Sequence, residues 1–240
     1  MTILNEELFT LYQTELTGQA VTLPALPISY TDFVRWETEQ LNDDSLSQLT
    51  DYWQTQLAGE IPVLNLPTDH SRPVVPSYQG ASQRFSLSPS LTQQLSQLAR
   101  QENTTLFTLL LASFQLLLHR YTGQTEIWVG TPTSLPRQQP QFAKLVGYLV
   151  NPVVLRATFE AATHLSFRGL LNQTQQTVLG ALEHSAYPFP LLVKLLQPHR
   201  DFSQVPLVQA MLEFQPDSWL SQRQVAGLTL LPMELDQMEG

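Results

Sequence analysis

The chain is 240 residues long and carries 21 acidic residues against 12 basic ones, a net charge of −9 at neutral pH. That sign argues against nucleic acid and anionic membrane as partners, because both need clustered Lys and Arg to offset negative charge. The sequence has no cysteine, which removes disulfides, thiolate metal sites and a cysteine nucleophile. The first residues, MTILNEELFTLYQTEL, hold acidic charges and no basic start, so no secretory leader is expected. No apolar run approaches the roughly 20 residues of a membrane helix, and a cytoplasmic location is the expectation.

Along the chain, Ile3, Leu4, Leu8, Leu11, Tyr12 and Leu16 form a helical stripe over residues 3–16. After a connector containing Pro24 and Pro27, residues 30–41 read as a second helix with Phe33, Trp36 and Leu41 apolar. Residues 45–58 read as a third, with Leu49, Tyr52, Trp53 and Leu57 apolar and Gly59 as its left-handed cap. Pro62, Pro67, Pro73 and Pro76 leave no room for a regular element over 61–80, which places a linker there.

Residues 83–87 predict a strand with Phe85 and Leu87 on one face. Ser88-Pro89 opens a helix carrying Leu91, Leu95, Leu98 and Ala99. Thr104 is placed as the cap of the next helix, 106–121, apolar nearly all round and so expected to be buried, with Gly123 ending it. Strands are expected at 127–131, 146–155, 207–214 and 225–231, and an amphipathic helix at 165–182. Interleaved helices and strands predict an α/β fold with a mixed sheet.

The five histidines, His70, His119, His164, His184 and His199, show no metal-ligand spacing, and no metal is expected. His119 falls in the last turn of the expected buried helix, where a cation suits the dipole. His70 and His199 sit in proline-flanked loops, and His164 precedes a helix. His184, within HSAYPFP, is the one candidate for a general base, but the sequence supplies neither a nucleophile nor an orienting group beside it. No phosphate-loop spacing and no Gly-x-Ser-x-Gly elbow occurs. The residues by themselves reach an α/β domain and no reaction.

Read together, several segments resemble condensation domains of nonribosomal peptide synthetases. YTDFVRWE (30–37) resembles the motif Tyr-x-Asp-Phe/Tyr-Ala-x-Trp-Gln, and YWQTQLAG (52–59) followed by LNLPTDHSRP (64–73) is similar to the connector out of the first subdomain. Residues 105–132 resemble the buried helix and following strand. VGYLVNPVVLR (146–156) resembles Gly-x-Phe-Val-Asn-Thr-x-x-x-Arg, with Pro152 where Thr is usual. HSAYPFP (184–190) resembles His-Gln-Asp-Tyr-Pro-Phe-Glu, and RDFSQVPLVQAMLEFQ (200–215) resembles Arg-Asp-x-Ser-x-x-Pro-Leu-Phe-Gln-Val.

The resemblance implies a chloramphenicol-acetyltransferase-like fold with a mixed sheet and packed helices. Residues 1–75 would be the remainder of a first subdomain with its connector, and 76–240 a second subdomain lacking its last strands. It implies that two carrier proteins deliver thioester-linked substrates on phosphopantetheine arms, with no cofactor bound directly, and that an acceptor amine attacks the donor thioester to form an amide. Carrier proteins and neighbouring synthetase domains are the implied partners.

The family's His-His-x-x-x-Asp-Gly motif does not occur in the 240 residues; the chain begins about where the Trp-Ser-Met segment that follows that motif would lie. No catalytic residue is therefore assigned within it. Tyr30, Trp36, Gly147, Tyr148, Asn151 and Tyr187 are the candidates for lining the substrate tunnel, with Trp36 and Tyr187 also readable as core aromatics. Asp32, Arg156, Arg200 and Asp201 are assigned to holding the fold. The alternatives are a noncatalytic module that binds carrier proteins or a partner synthetase, and an ester-forming relative.

Overall fold

The computed structural model of the chain describes residues 2–18, 22–70, 80–159, 166–196, 205–215, 223–225 and 227–230. It divides into two compact units. The boundary expected at residue 75 falls within 71–79, outside the described residues.

The first unit comprises Met1–Gln40, Ser134–Leu149 and Phe214–Gln237. Its helices are α1 (Thr2–Thr17) and α2 (Tyr30–Gln40). A reciprocal cap starts α2: the Ser29 amide and hydroxyl donate to Asp32 Oδ2 at 2.8 and 2.7 Å, and the Asp32 amide donates to Ser29 Oγ at 3.2 Å. These bonds, the backbone one foremost, hold the Asp32 carboxyl below its ordinary range. Behind the cap, Phe33 meets Phe142 edge-on with centroids 5.3 Å apart, and Trp36 lies 4.8 Å from Phe142. Leu145 and Leu149 complete this small core.

The segment 134–149 is thereby folded back on α2, with a 3-10 turn at Leu135–Gln138. Ser134 Oγ donates to Leu149 O at 2.8 Å and Arg137 Nη1 to Leu145 O at 3.1 Å. Two short strands, β3 (Arg223–Val225) and β4 (Leu228–Leu230), pair antiparallel. The single strand expected at 225–231 is a hairpin because Gly227, at φ +80°, turns the chain.

The second unit comprises Leu41–Thr133, Val150–Glu213 and Met238–Gly240. It contains α3 (Asp43–Gln56), α4 (Pro89–Gln101), α5 (Leu106–Thr122), β1 (Glu126–Thr133), β2 (Asn151–Thr158), α6 (Phe167–Glu183) and α7 (Phe189–Leu196). Side-chain oxygens start four of the helices: Asn42 accepts from the Ser45 amide, Ser88 from Leu91, Thr105 from Thr108 and Ser166 from Gly169. The cap of α5 is thus Thr105, one residue past Thr104, because Thr105 is the residue with extended backbone beside a free amide three residues on. Gly123 ends α5 at φ 69°, whereas α3 stops at Gln56 and Gly59 turns the chain after it.

Strands β1 and β2 pair antiparallel with Val129 opposite Leu155. Along the other edge of β1 the segment 210–212 runs parallel: the Gly130 amide donates to Ala210 O and the Leu212 amide to Gly130 O, both at 2.9 Å. The described strands thus form antiparallel pairs in an α/β fold, and the parallel pairing expected of a mixed sheet amounts to this single bridge. Pro132 has no amide to continue this ladder, and the Thr131 hydroxyl donates to Leu212 O at 2.9 Å instead. The expected strand 207–214 is therefore reduced to one bridge at Met211. A side chain on Gly130 would meet Val208 Cγ2 at 2.9 Å, so the approach of this segment depends on glycine.

Helix α6 packs on β2, and α5 lies against α4, α6 and β1. Gln115, fully buried on α5, donates to Leu155 O at 3.0 Å and accepts from the Thr174 hydroxyl at 3.3 Å, so its amide is satisfied in the interior.

Other expectations fail for physical reasons. Residues 83–87 form no strand, and Phe85 stands 84% exposed, because no neighbouring strand pairs with them among the described residues. The expected strand 146–155 begins only at Asn151. Helix α5 is not buried all round: Leu117 and Tyr121 are 50% and 65% exposed. Helix α7 is missed because its run FPLLVKLL spans only eight residues with Lys194 as its single polar side chain, too short a stretch to show a helical period.

Candidate functional site

Three segments singled out in the sequence meet at one turn of the second unit, residues 184–189 between α6 and α7. Asn151, the first residue of β2, reaches it with its whole amide. Nδ2 donates to Ser185 O and Tyr187 O, both at 2.8 Å, and Oδ1 accepts from the Phe189 amide at 2.9 Å. An amide suits this position because it offers two N–H groups and a carbonyl on one small planar head.

Helix α3 holds the same turn from another direction. Trp53, almost wholly buried, donates its indole N–H to His184 O at 3.0 Å. Tyr52 stacks on the His184 ring with centroids 3.7 Å apart and planes 5° from parallel. The Tyr52 hydroxyl would lie 2.5 Å from a methyl on Gly180, so α6 carries glycine where that ring crosses it. Burial, followed by the nearby Glu183 carboxylate, raises the Tyr52 hydroxyl above its ordinary range. Tyr187 is 6% exposed, and its hydroxyl lies 3.5 Å from Thr50 Oγ1.

His184 donates through Nδ1 to Gly180 O at 2.8 Å, and its ring faces Tyr52. The geometry shows a residue that terminates α6. His119 is held in the same manner, with Nδ1 donating to Gln124 O at 2.8 Å and its ring stacked on Phe159 at 4.2 Å.

Arg156 on β2 forms a bidentate pair with Glu126 at 2.7 and 3.0 Å and donates through Nη1 to Gln56 O and Ala58 O at 3.2 and 3.0 Å. It thus ties the chain leaving α3 to the β1–β2 pair, a task for a planar guanidinium with several fixed donors. Arg200 and Asp201, with His164 and His199, lie outside the described residues.

In the first unit, Tyr30 lays its ring over the Gly147 backbone and donates its hydroxyl to Tyr148 O at 3.1 Å. A methyl on Gly147 would lie 2.4 and 2.5 Å from two Tyr30 ring carbons, so this contact requires glycine. Tyr148 projects outward, 71% exposed, with Val146 also exposed beside it. Trp36 belongs to the core around Phe142.

Among the described residues no group of three His, Asp or Glu side chains is placed to hold a metal ion, and no helix is long and apolar enough to cross a membrane. Reading the sequence missed Thr50, Gln115, Gly180 and Glu126 as partners. Only the buried indole of Trp53, a donor that needs an acceptor, signalled that α3 would seek a carbonyl.

Tyrocidine synthase 3 of Brevibacillus parabrevis is 41% identical over 211 residues, 88% of this chain and 3% of that protein. Gramicidin S synthase 2 of Aneurinibacillus migulanus is 37% identical over 235 residues, 98% of this chain and 5% of its own length. The chain thus spans only a few per cent of these relatives. Among solved structures, the SgcC5 protein of Streptomyces globisporus matches all of this chain and 54% of its own, with a TM-score of 0.78 and 25% identity. A structure of the X-domain with OxyB from teicoplanin biosynthesis shares the fold, with a TM-score of 0.81 and 21% identity over all of this chain and 52% of its own. The family model for the Condensation domain matches residues 1–238, and the chain belongs to the condensation-domain family.

Proposed function

We propose that this chain is part of a domain that joins two carrier-bound thioesters through an amide bond in nonribosomal peptide synthesis. The observation that supports it most is the family match over residues 1–238 together with relatives among the peptide synthetases. In the reaction, the acceptor amine attacks the donor's thioester carbon. The C–N bond forms, the C–S bond breaks, and the phosphopantetheine sulfur leaves as a thiol carrying the proton lost by the amine.

The zwitterionic tetrahedral species on this path needs a proton acceptor and hydrogen-bond donors near the oxyanion. No His-His-x-x-x-Asp-Gly motif occurs in the 240 residues. We therefore place the proton-handling group outside these residues. The contribution of this chain is a scaffold and part of the substrate path, which acts by proximity. Tyr30, Gly147 and the exposed Tyr148 are the residues of the first unit we assign to that path. Trp36 serves as a packed aromatic in the core of that unit and Tyr187 as one in the second unit.

Residues 1–75 belong in this proposal to the first acetyltransferase-like subdomain, and 76–240 to the second. Carrier proteins and neighbouring synthetase domains are the partners, in the cytoplasm, with phosphopantetheine arriving as part of the substrates.

The test supplies the purified chain with two carrier proteins loaded with aminoacyl thioesters, with and without a separately produced segment bearing His-His-x-x-x-Asp-Gly. Mass spectrometry of the acceptor carrier reads the product. Dipeptidyl thioester is expected only when the His-bearing segment is present. Product from the chain alone, above the rate without protein, overturns the assignment of catalysis to residues outside it.

A further inference from the structure

We infer that Asn151 is a positioning residue, which acts on amide formation through the 185–189 turn and never touches the substrates. The inference rests on the function proposed above. Its ground is that every polar atom of the side chain is already used within the fold, on Ser185 O, Tyr187 O and the Phe189 amide. An amide with both N–H groups on carbonyls and its oxygen on an N–H has its best acceptors and donor filled.

The backbone at this residue is fixed as well. Asn151 O accepts from the Thr133 hydroxyl at 2.6 Å, across the β1–β2 pair. The residue therefore joins three stretches: the end of β1, the start of β2 and the turn between α6 and α7. It directly follows Val150, which is exposed. Fixing Asn151 fixes the point at which the chain passes from the exposed Val150 into the sheet.

The chemistry distinguishes this role from that of a polar lining residue. A lining Asn tolerates Asp, which is isosteric and still accepts hydrogen bonds. At this site Asp would turn an oxygen, in place of two N–H donors, toward two carbonyl oxygens at 2.8 Å. Repulsion and two stranded carbonyls make it the worst of the small replacements. Ser keeps one donor, and Ala leaves all three partners unpaired without adding repulsion. The order of function is then Asn, Ser, Ala, Asp.

Two readouts test it. In the 240-residue chain, hydrogen exchange at the Phe189 amide accelerates at least 10-fold in Asn151→Ala and more in Asn151→Asp, while exchange in α5 is unchanged. In the chain assembled with the His-bearing segment, Asn151→Ala lowers kcat about 10-fold, measured below the melting transition, with KM for both loaded carriers within twofold of the unsubstituted protein. Asn151→Ser falls between and covers the case in which the Ala protein does not fold.

Unchanged exchange at Phe189 overturns the role of the turn. Lost protection with unchanged kcat makes Asn151 purely structural and also overturns the inference. A raised KM with intact protection shows direct substrate contact and does the same. If the unsubstituted assembly forms no amide, the proposed function fails, whereas the exchange experiment still reports on the turn.

Discussion

Replacing Gly180 with Ala probes the packing of α3 on the 184–189 turn. In a solvent-facing helix this change gains about 1 kcal/mol, from the propensity difference between Gly and Ala. Here the new methyl would lie 2.5 Å from the Tyr52 hydroxyl oxygen and 3.3 Å from the ring carbon bearing it. The ring cannot swing away at no cost, because it stacks on His184 at 3.7 Å and meets Trp53 edge-on at 5.1 Å. Overpacking of this kind costs about 1–3 kcal/mol, so the single variant should lose about 1 kcal/mol net.

Tyr52→Phe removes the crowding oxygen and keeps the stack, and Tyr52→Phe alone should be neutral within about 0.5 kcal/mol. In the double variant most of the propensity gain returns, which gives a favourable coupling of about 1–2 kcal/mol. Urea midpoints followed by tryptophan fluorescence measure all four proteins, and at this size each kcal/mol moves Tm by about 2–4 °C. Additivity within about 0.3 kcal/mol would show that Tyr52 does not press on α6 and would remove the packing argument for the turn.

Arg156→Lys should cost about 1–2 kcal/mol, because an ammonium cannot hold Glu126 in two bonds and also reach two carbonyls; chemical denaturation reads the loss, and Glu126→Gln should weaken it further. Asp32 has a folded-state pKa below its ordinary value. Its contribution is therefore present above the unfolded aspartate range and disappears as pH falls below about 4. Asp32→Asn should flatten that part of the Tm-against-pH profile, and a profile identical to the unsubstituted protein's would contradict the cap. Phe85→Ser should leave the denaturation midpoint unchanged within about 0.5 kcal/mol, since the ring stands 84% exposed; a clear loss would restore the expected strand.

Helices were legible wherever a capping residue, an amphipathic stripe and a terminal glycine agreed. Ser88-Pro89 and Gly123 mark the ends of α4 and α5 because their backbone requirements are local. Strands were less legible, because a strand exists only by its partner. Residues 83–87 alternate well and pair with nothing described, and 207–214 is cut short by a proline on the facing strand.

The site was legible in its segments and not in their contacts. YWQTQLAG, NPVVLR and HSAYPFP stand far apart in sequence, and no local pattern tells that the amide of Asn151 spans to residues 185, 187 and 189. Periodicity reports which face is apolar and is silent on which buried carbonyls await a donor. Asn151 was expected along the substrate path because of the motif it resembles; its three bonds became apparent only once β2 and α7 were placed.

A chimera tests the assignment most directly. The 211 residues of tyrocidine synthase 3 that match this chain at 41% identity are replaced by the corresponding residues of this chain, and dipeptidyl thioester is measured by mass spectrometry with the recipient's own loaded carriers. A folded chimera that forms the amide at a rate within about 100-fold of the recipient, about 2.7 kcal/mol in barrier, is the expected result. A chimera that folds, binds both carriers and forms no amide would show that this chain no longer supplies what a condensation domain needs.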